Sequence, residues 1–376
     1  MANIDNLLRT VKREYNVDDD RVWMGGFSDG GSAAFFYAMV ASSDYAAFLA
    51  LSGHMGVGSL DGDMPTYATN FFNSPVYAVC NDEDRLYPAE KMRVTIDMAM
   101  RAGGDILFKA YEGGHDFTYG EAELPRMARF LERHPRNPFP ATVMCEAAQS
   151  RFGVCRWFAI DCVSPEEPAP WHTDHNVALV SDSISVGIYP DYEFEGPGVK
   201  VPKLVEGSAA EKMGMKEDDI IVKAGQMEVK NLDDVTAYKA RFKRGDAFEL
   251  TVKRKGKEIE LKGRFPDAEN YFVFKREQPS AMAKVSFAGN RIEVEGSRLG
   301  AFRILVHPDM IRFDQDLNIV CNGMLVYSKK ITPDLEFMLR NFLENRDRRL
   351  LYVAEVKIYP NKFDPKRSPF TDYCTK

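Results

Sequence analysis

The pentapeptide Gly26-Phe27-Ser28-Asp29-Gly30 constrains this chain more than any other stretch, because of what flanks it. Arg21 to Gly25 reads as a short buried strand, and Gly31 to Ala41 as a helix of small residues. A G-x-S-x-G turn between a strand and a helix lifts a serine hydroxyl above the edge of a parallel sheet. The turn strains the backbone at Ser28, and glycines at 26 and 30 are expected to let strand and helix approach closely. The amide of Asp29, at the helix start, then points to where an oxyanion would form.

The surrounding pattern fits such a sheet. Ile4, Leu7, Leu8 and Val11 have helical spacing, and strands are expected at Ala46 to Ser52, Val76 to Cys80 and Ile106 to Tyr111. Pro88 opens a helix that ends near Gly103-Gly104, and Leu124, Met127, Ala128 and Leu131 form a closing one. Strands separated by helices imply βα units and a parallel sheet.

A serine nucleophile needs a base and a group that orients the base. Asp84 follows the strand Val76 to Cys80, and His115 follows Ile106 to Tyr111, so both sit at carboxyl ends of strands, where open α/β sheets place ligands. Their order, serine then acid then histidine, is the order this strand–turn–helix motif carries. Asp82 is the rival acid and His54 a rival base.

Residues 15–135 resemble the C-terminal half of an α/β-hydrolase, similar to esterases related to polyhydroxybutyrate depolymerases and feruloyl esterases. The segment Asp18-Asp19-Asp20-Arg21-Val22-Trp23-Met24-Gly25-Gly26-Phe27-Ser28 carries the likeness. The resemblance implies a Ser28, Asp84, His115 triad, hydrolysis of a small ester through an acyl-enzyme, no cofactor, and a secreted or periplasmic location. A serine peptidase of the same fold uses the same triad, and a non-catalytic binding protein with a vestigial hydrolase part is the reading from another class. The family places several strands and an oxyanion loop upstream, whereas only residues 1–20 precede the nucleophile strand here. The expectation is a fragment or late-start product that turns over poorly and self-associates through the exposed strand edge.

Three prolines in His134-Pro135-Arg136-Asn137-Pro138-Phe139-Pro140 end the α/β part. Residues 183–266 resemble a PDZ domain of the bacterial protease type, through Val199-Lys200-Val201, Glu206-Gly207-Ser208-Ala209-Ala210 and Asp219-Ile220-Ile221, with Asp218 where the family usually has glycine. Such modules bind a peptide C-terminus by strand addition. Val186, Gly187 and Ile188 fall at the carboxylate loop, but Pro190 lacks the N–H an incoming strand needs, so weak binding at most is expected. The basic run Lys253-Arg254-Lys255-Gly256-Lys257 is a hairpin turn in this reading.

The expected fold class is therefore α/β, a partial α/β-hydrolase parallel sheet, followed by a β-rich domain with an inserted PDZ domain. The expected boundaries are 1–136 for the hydrolase part, 137–182 with 267–362 for the β-rich domain, 183–266 for PDZ and 363–376 for a tail. Asn322-Gly323 between apolar strands signals a hairpin. The net charge of −7 argues against a nucleic-acid partner, and no apolar run is long enough for a membrane span or a signal peptide. The six cysteines lack C-x-x-C spacing; Cys145, Cys155 and Cys162 can pair among themselves, but buried thiols are the simpler expectation. His172-Thr173-Asp174-His175 reads as a solvated turn and no metal site is expected.

Overall fold

The computed structural model describes residues 2–181 and 184–360. Cys374 and the expected tail, 363–376, lie outside the described residues. The chain divides into two compact units, Met1–Val177 with Phe272–Lys376, and Ala178–Tyr271.

The first unit opens with helix α1 (Ala2–Glu14), followed by strand β1 (Trp23–Phe27), α2 (Asp29–Val40), β2 (Ala47–Leu51), the short α3 (Val57–Leu60), β3 (Val76–Asn81), α4 (Ala89–Arg101), β4 (Ile106–Tyr111) and α5 (Gly120–Arg133). The four strands form one parallel sheet in the order β1-β2-β3-β4. The strand that leads to Ser28 begins two residues later than the sequence suggests, because Asp19–Arg21 close a 3-10 turn capped by the Asp18 side chain. α2 is apolar nearly all round and buried from Gly31 to Val40, apart from the half-buried Ala33. α4 buries Met92, Thr95, Ile96 and Ala99, the spacing of one helical face, and ends where Gly103 turns to φ +99°.

After the proline segment the chain enters two facing sheets. One runs Met324–Lys329, Leu317–Cys321, Arg291–Ser297, Ala281–Ala288 and β5 (Thr142–Ala147). The other runs Ala354–Ile358, Leu299–Val306, β7 (Phe158–Val163) and β6 (Val154–Cys155). Pairing of Ala281–Ala288 with β5 joins chain from both sides of the second unit. A single core including Trp157, Phe158, Phe302, Val285 and Ile319 fills the space between the sheets. β6 and β7 are two strands rather than one, because Arg156 adopts φ +60° and turns β6 back on β7. Asn322 and Gly323, both at positive φ, make the hairpin between Leu317–Cys321 and Met324–Lys329. Cys145 and Cys155 form a disulfide, which corrects the expectation of buried thiols there: β5 and β6 bring their Cα atoms to 5.7 Å.

A buried ion network ties α1 and the proline segment to the C-terminal region. Lys12 Nζ lies 2.9 Å from both Asp19 and Asp347, while Arg136 grips both carboxylate oxygens of Asp347 at 2.7 and 2.9 Å and also reaches Asp20 at 3.1 Å. Burial alone would raise the Asp347 carboxyl, but Arg136 and Lys12 outweigh it and hold the group below its usual range.

The second unit is built on antiparallel strands Val199–Val201, Asp219–Ala224, Ala247–Arg254 and Lys257–Arg264, with helices Ala209–Lys212 and Leu232–Lys239. Its core includes Val201, Ile221, Leu250, Val252 and Phe265. Lys255 and Gly256, both at positive φ, sit at the tip of the last hairpin, so the basic run is a turn. Asp218 takes φ +66°, the conformation for which glycine is the usual choice. Among the described residues no helix is long and apolar enough to cross a membrane.

Candidate active site

The turn from β1 into α2 carries the backbone strain that the motif demands. Ser28 has φ 60° and ψ −117°, and its N–H donates to Leu51 O at 2.9 Å, so the neighbouring strand holds it in that conformation. Crowding explains two glycines and corrects one expectation. A Cβ on Gly26 would lie 2.6 Å from Gly30 backbone, and one on Gly31 only 2.3 Å from Leu51 O. A Cβ on Gly30 would meet nothing within 4 Å, so close approach depends on residues 26 and 31 rather than 26 and 30.

Ser28 Oγ lies 2.8 Å from His115 Nε2, and His115 Nδ1 lies 2.8 Å from Asp84 Oδ2. Asp84 is buried, and its other oxygen accepts the amides of Leu86 (2.8 Å) and Tyr87 (3.0 Å). A carboxylate fixed by three donors cannot swing away from the imidazole. Asp82, the rival acid, is exposed on the same loop, and its backbone N–H donates a hydrogen bond to Tyr111 O at 2.8 Å. The histidine loop is anchored by Asn81, whose Nδ2 donates to Gly114 O at 2.8 Å. Asn81 is the last residue of β3, a role that reading along the chain missed because its partner lies 33 residues away.

The imidazole is flanked by two rings, Phe27 with centroids at 4.9 Å and Tyr87 at 5.9 Å. Burial raises the Tyr87 hydroxyl, which keeps it protonated. His54, the rival base, is buried behind Tyr87, with ring centroids 6.1 Å apart. Its Nδ1 accepts the Gly56 amide and burial pushes its pKa down to about 4, so it is a neutral wall. Cys80, beneath Asp84, is a thiol pushed up to about 12 by burial first and by the Asp84 charge second. Asp29 opens α2, and as a first-turn helical amide its N–H has no intrahelical acceptor.

In the second unit the loop before Ile188 is braced from within. Val186 is buried and its carbonyl accepts the Ala210 amide at 2.8 Å. The Gly187 amide donates to Ser185 Oγ at 3.1 Å, and a Cβ on Gly187 would collide with Ser208 at 2.1 Å. Val205 N–H donates to Gly187 O, and Ile188–Tyr189 pair with Lys203–Leu204. Antiparallel alternation then turns Ile188 N–H outward, along with the nitrogen of Pro190, which bears no hydrogen.

His172 departs from its expected role. Its side chain is only 7% exposed and bonds to Ser297 Oγ at 2.9 Å, Ser280 Oγ at 3.3 Å and Glu146 Oε1 at 3.4 Å, a buried network rather than a solvated turn. Among the described residues no group of three His, Cys, Asp or Glu is placed to hold a metal ion.

Residues 177–262 match the PDZ domain family. A stretch of 123 residues, 31% of this chain, is 28% identical to acyl-protein thioesterase 1 of Gibberella zeae and covers 51% of that protein. The chain thus spans about half the length of the curated relative it matches. Among solved structures, a thermostable esterase aligns over 36% of each chain at 21% identity with a TM-score of 0.30. The HtrA3 PDZ domain bound to a phage-derived ligand aligns over 24% of this chain and 93% of its own, at 16% identity and a TM-score of 0.21. The molecule therefore carries a PDZ domain in a chain whose N-terminal parallel sheet is α/β-hydrolase-like.

Proposed function

We propose that this protein is a serine ester hydrolase working through an acyl-enzyme. The observation that carries the reading is the unbroken chain of hydrogen bonds from Asp84 through His115 to a strained Ser28 at the strand ends. Ser28 Oγ attacks the acyl carbonyl while its proton passes to His115 Nε2. Asp84 holds the Nδ1–H tautomer and stabilises the imidazolium. The amide of Asp29 donates to the oxyanion. His115 then protonates the departing alkoxide or thiolate, and water repeats the sequence to release the acid. The thioesterase relative supports an ester or thioester substrate.

Losing one of two oxyanion donors costs ~10²–10³ in rate. The amide of Asp29 is the oxyanion donor proposed here. The Cys145–Cys155 disulfide supports the proposal of an oxidising compartment, secreted or periplasmic. The PDZ groove is proposed to take C-terminal peptides weakly, since Val186 to Ile188 are braced internally and Pro190 removes a donor. Labelling with a fluorophosphonate probe tests the assignment: loss in Ser28→Ala with retention in Asp82→Ala supports it. Equal labelling of Ser28→Ala and wild type overturns it.

A further inference from the structure

A cavity of about 690 Å³ has neither Ser28, Asp84 nor His115 in its wall. It is bounded by α1, β6, the strand Leu299–Val306 and the helix Leu335–Asn345, all in the first unit. Its charges do not cancel. Arg303 is held by Asp161 at 2.8 Å and Glu355 at 3.3 Å, and Asp5 accepts the Tyr37 hydroxyl at 3.3 Å. That leaves Arg9, Arg151, Arg156 and Arg340 facing Asp5, Asp44 and Glu344, four cations against three carboxylates, with no ion pair for any of them among the described residues. Burial raises the Asp44 carboxyl, which weakens it further as a counter-charge.

Arg156 is the unusual member. It is 4% exposed, and its Nη2 donates to Asn73 O (2.6 Å) and Ser74 Oγ (2.7 Å), but Nε and Nη1 are buried without a partner. Its backbone is pinned at φ +60° by Ser43 Oγ, which accepts its amide, and by Tyr352, whose hydroxyl donates to its carbonyl. The other buried cations, Lys12 and Arg136, each have a carboxylate within salt-bridge reach. A buried cation without a counter-ion is costly and is relieved by an anion brought close to it. Burial lowers Arg156 to about 10, the direction expected of a cation left unpaired.

We propose that this cavity binds a small organic dianion with an apolar body, of the class of an alkyl or aryl phosphate monoester. Arg9 and Arg340, both exposed, supply the direct guanidinium contacts, and Arg156 acts through its field from behind the wall. Leu8, Leu305 and Phe337 receive the apolar body.

Calorimetric titration of the full chain at pH 8 with phenyl phosphate, inorganic phosphate and benzyl alcohol tests this. Phenyl phosphate is expected to bind and to raise the melting temperature, inorganic phosphate to bind about tenfold more weakly for want of the apolar contacts, and benzyl alcohol not to bind. The double variant Arg9→Gln with Arg340→Gln is expected to weaken phenyl phosphate by about tenfold or more. Arg156→Met is expected to weaken it as well, and the exposed pair carries the test if that buried variant fails to fold. No binding of phenyl phosphate up to about 10 mM, or equal binding to wild type and the double variant, overturns the proposal.

Discussion

Two places in this molecule set a histidine between a serine hydroxyl and a carboxylate. At one, Ser28, His115 and Asp84 are linked at 2.8 Å and 2.8 Å, and the His115 side chain is 25% exposed. At the other, Ser297, His172 and Glu146 are linked at 2.9 Å and 3.4 Å inside the β-rich region, with Ser280 and Thr69 also bound to Glu146 at 2.8 Å. Side-chain chemistry does not separate them; backbone and access do. Ser28 stands in a strained turn at a helix start, with a free amide beside it. Ser297 ends an ordinary strand, is buried, and already accepts the Ala169 amide on its hydroxyl oxygen. The first arrangement leaves the Ser28 hydroxyl reachable in a half-exposed site, whereas the second uses its groups to satisfy a buried carboxylate.

The largest test of that contrast is at the acid. Asp84→Asn is expected to lower kcat/KM for p-nitrophenyl esters by ~10³–10⁴, since the amide favours the wrong imidazole tautomer. Glu146→Gln is expected to leave the esterase rate within twofold, about 0.4 kcal/mol, and to lower stability by about 1–3 kcal/mol in urea unfolding. A matching loss of rate in both variants would erase the distinction.

Next in size is the turn itself. Gly31→Ala is expected to cost about 3 kcal/mol of stability and to abolish fluorophosphonate labelling, because its Cβ has no room beside Leu51 O. Burial of His54 provides a comparable effect that depends on pH. Its folded pKa of about 4 lies below the ordinary 6.5, so the stability is present above pH 6.5 and is lost as pH falls toward 4. Across that window the loss is roughly 3 kcal/mol, and His54→Gln is expected to flatten it in acid unfolding curves. The smallest effect is Gly30→Ala, within about 0.5 kcal/mol of wild type by thermal melts, because open space surrounds that position.

What could be read along the chain was local. The βα alternation and the turn at Ser28 depend on patterns within a few residues, and the loops at Asp84 and His115 each follow their strand directly. What escaped depends on distant partners. His172 looked solvated because prolines surround it, yet Ser297 and Ser280 reach it from 125 and 108 residues away. The break at Arg156 has no glycine to announce it, since tertiary bonds from Ser43 and Tyr352 hold a conformation arginine rarely adopts. The Cys145–Cys155 bond follows from how β5 and β6 lie side by side, which spacing alone does not reveal.

The salt cluster around Asp347 has a mechanical consequence. Arg136 stands within the proline segment, and its guanidinium is fastened to a carboxylate 211 residues later, which Lys12 of α1 also grips. A protease that nicks the chain between residues 137 and 141 would cut a covalent connection that bears little of the load. The two fragments should migrate together on a sizing column and come apart only when acid protonates Asp347 or denaturant unfolds both sides at once. Suture, rather than hinge, is the apt picture for this stretch.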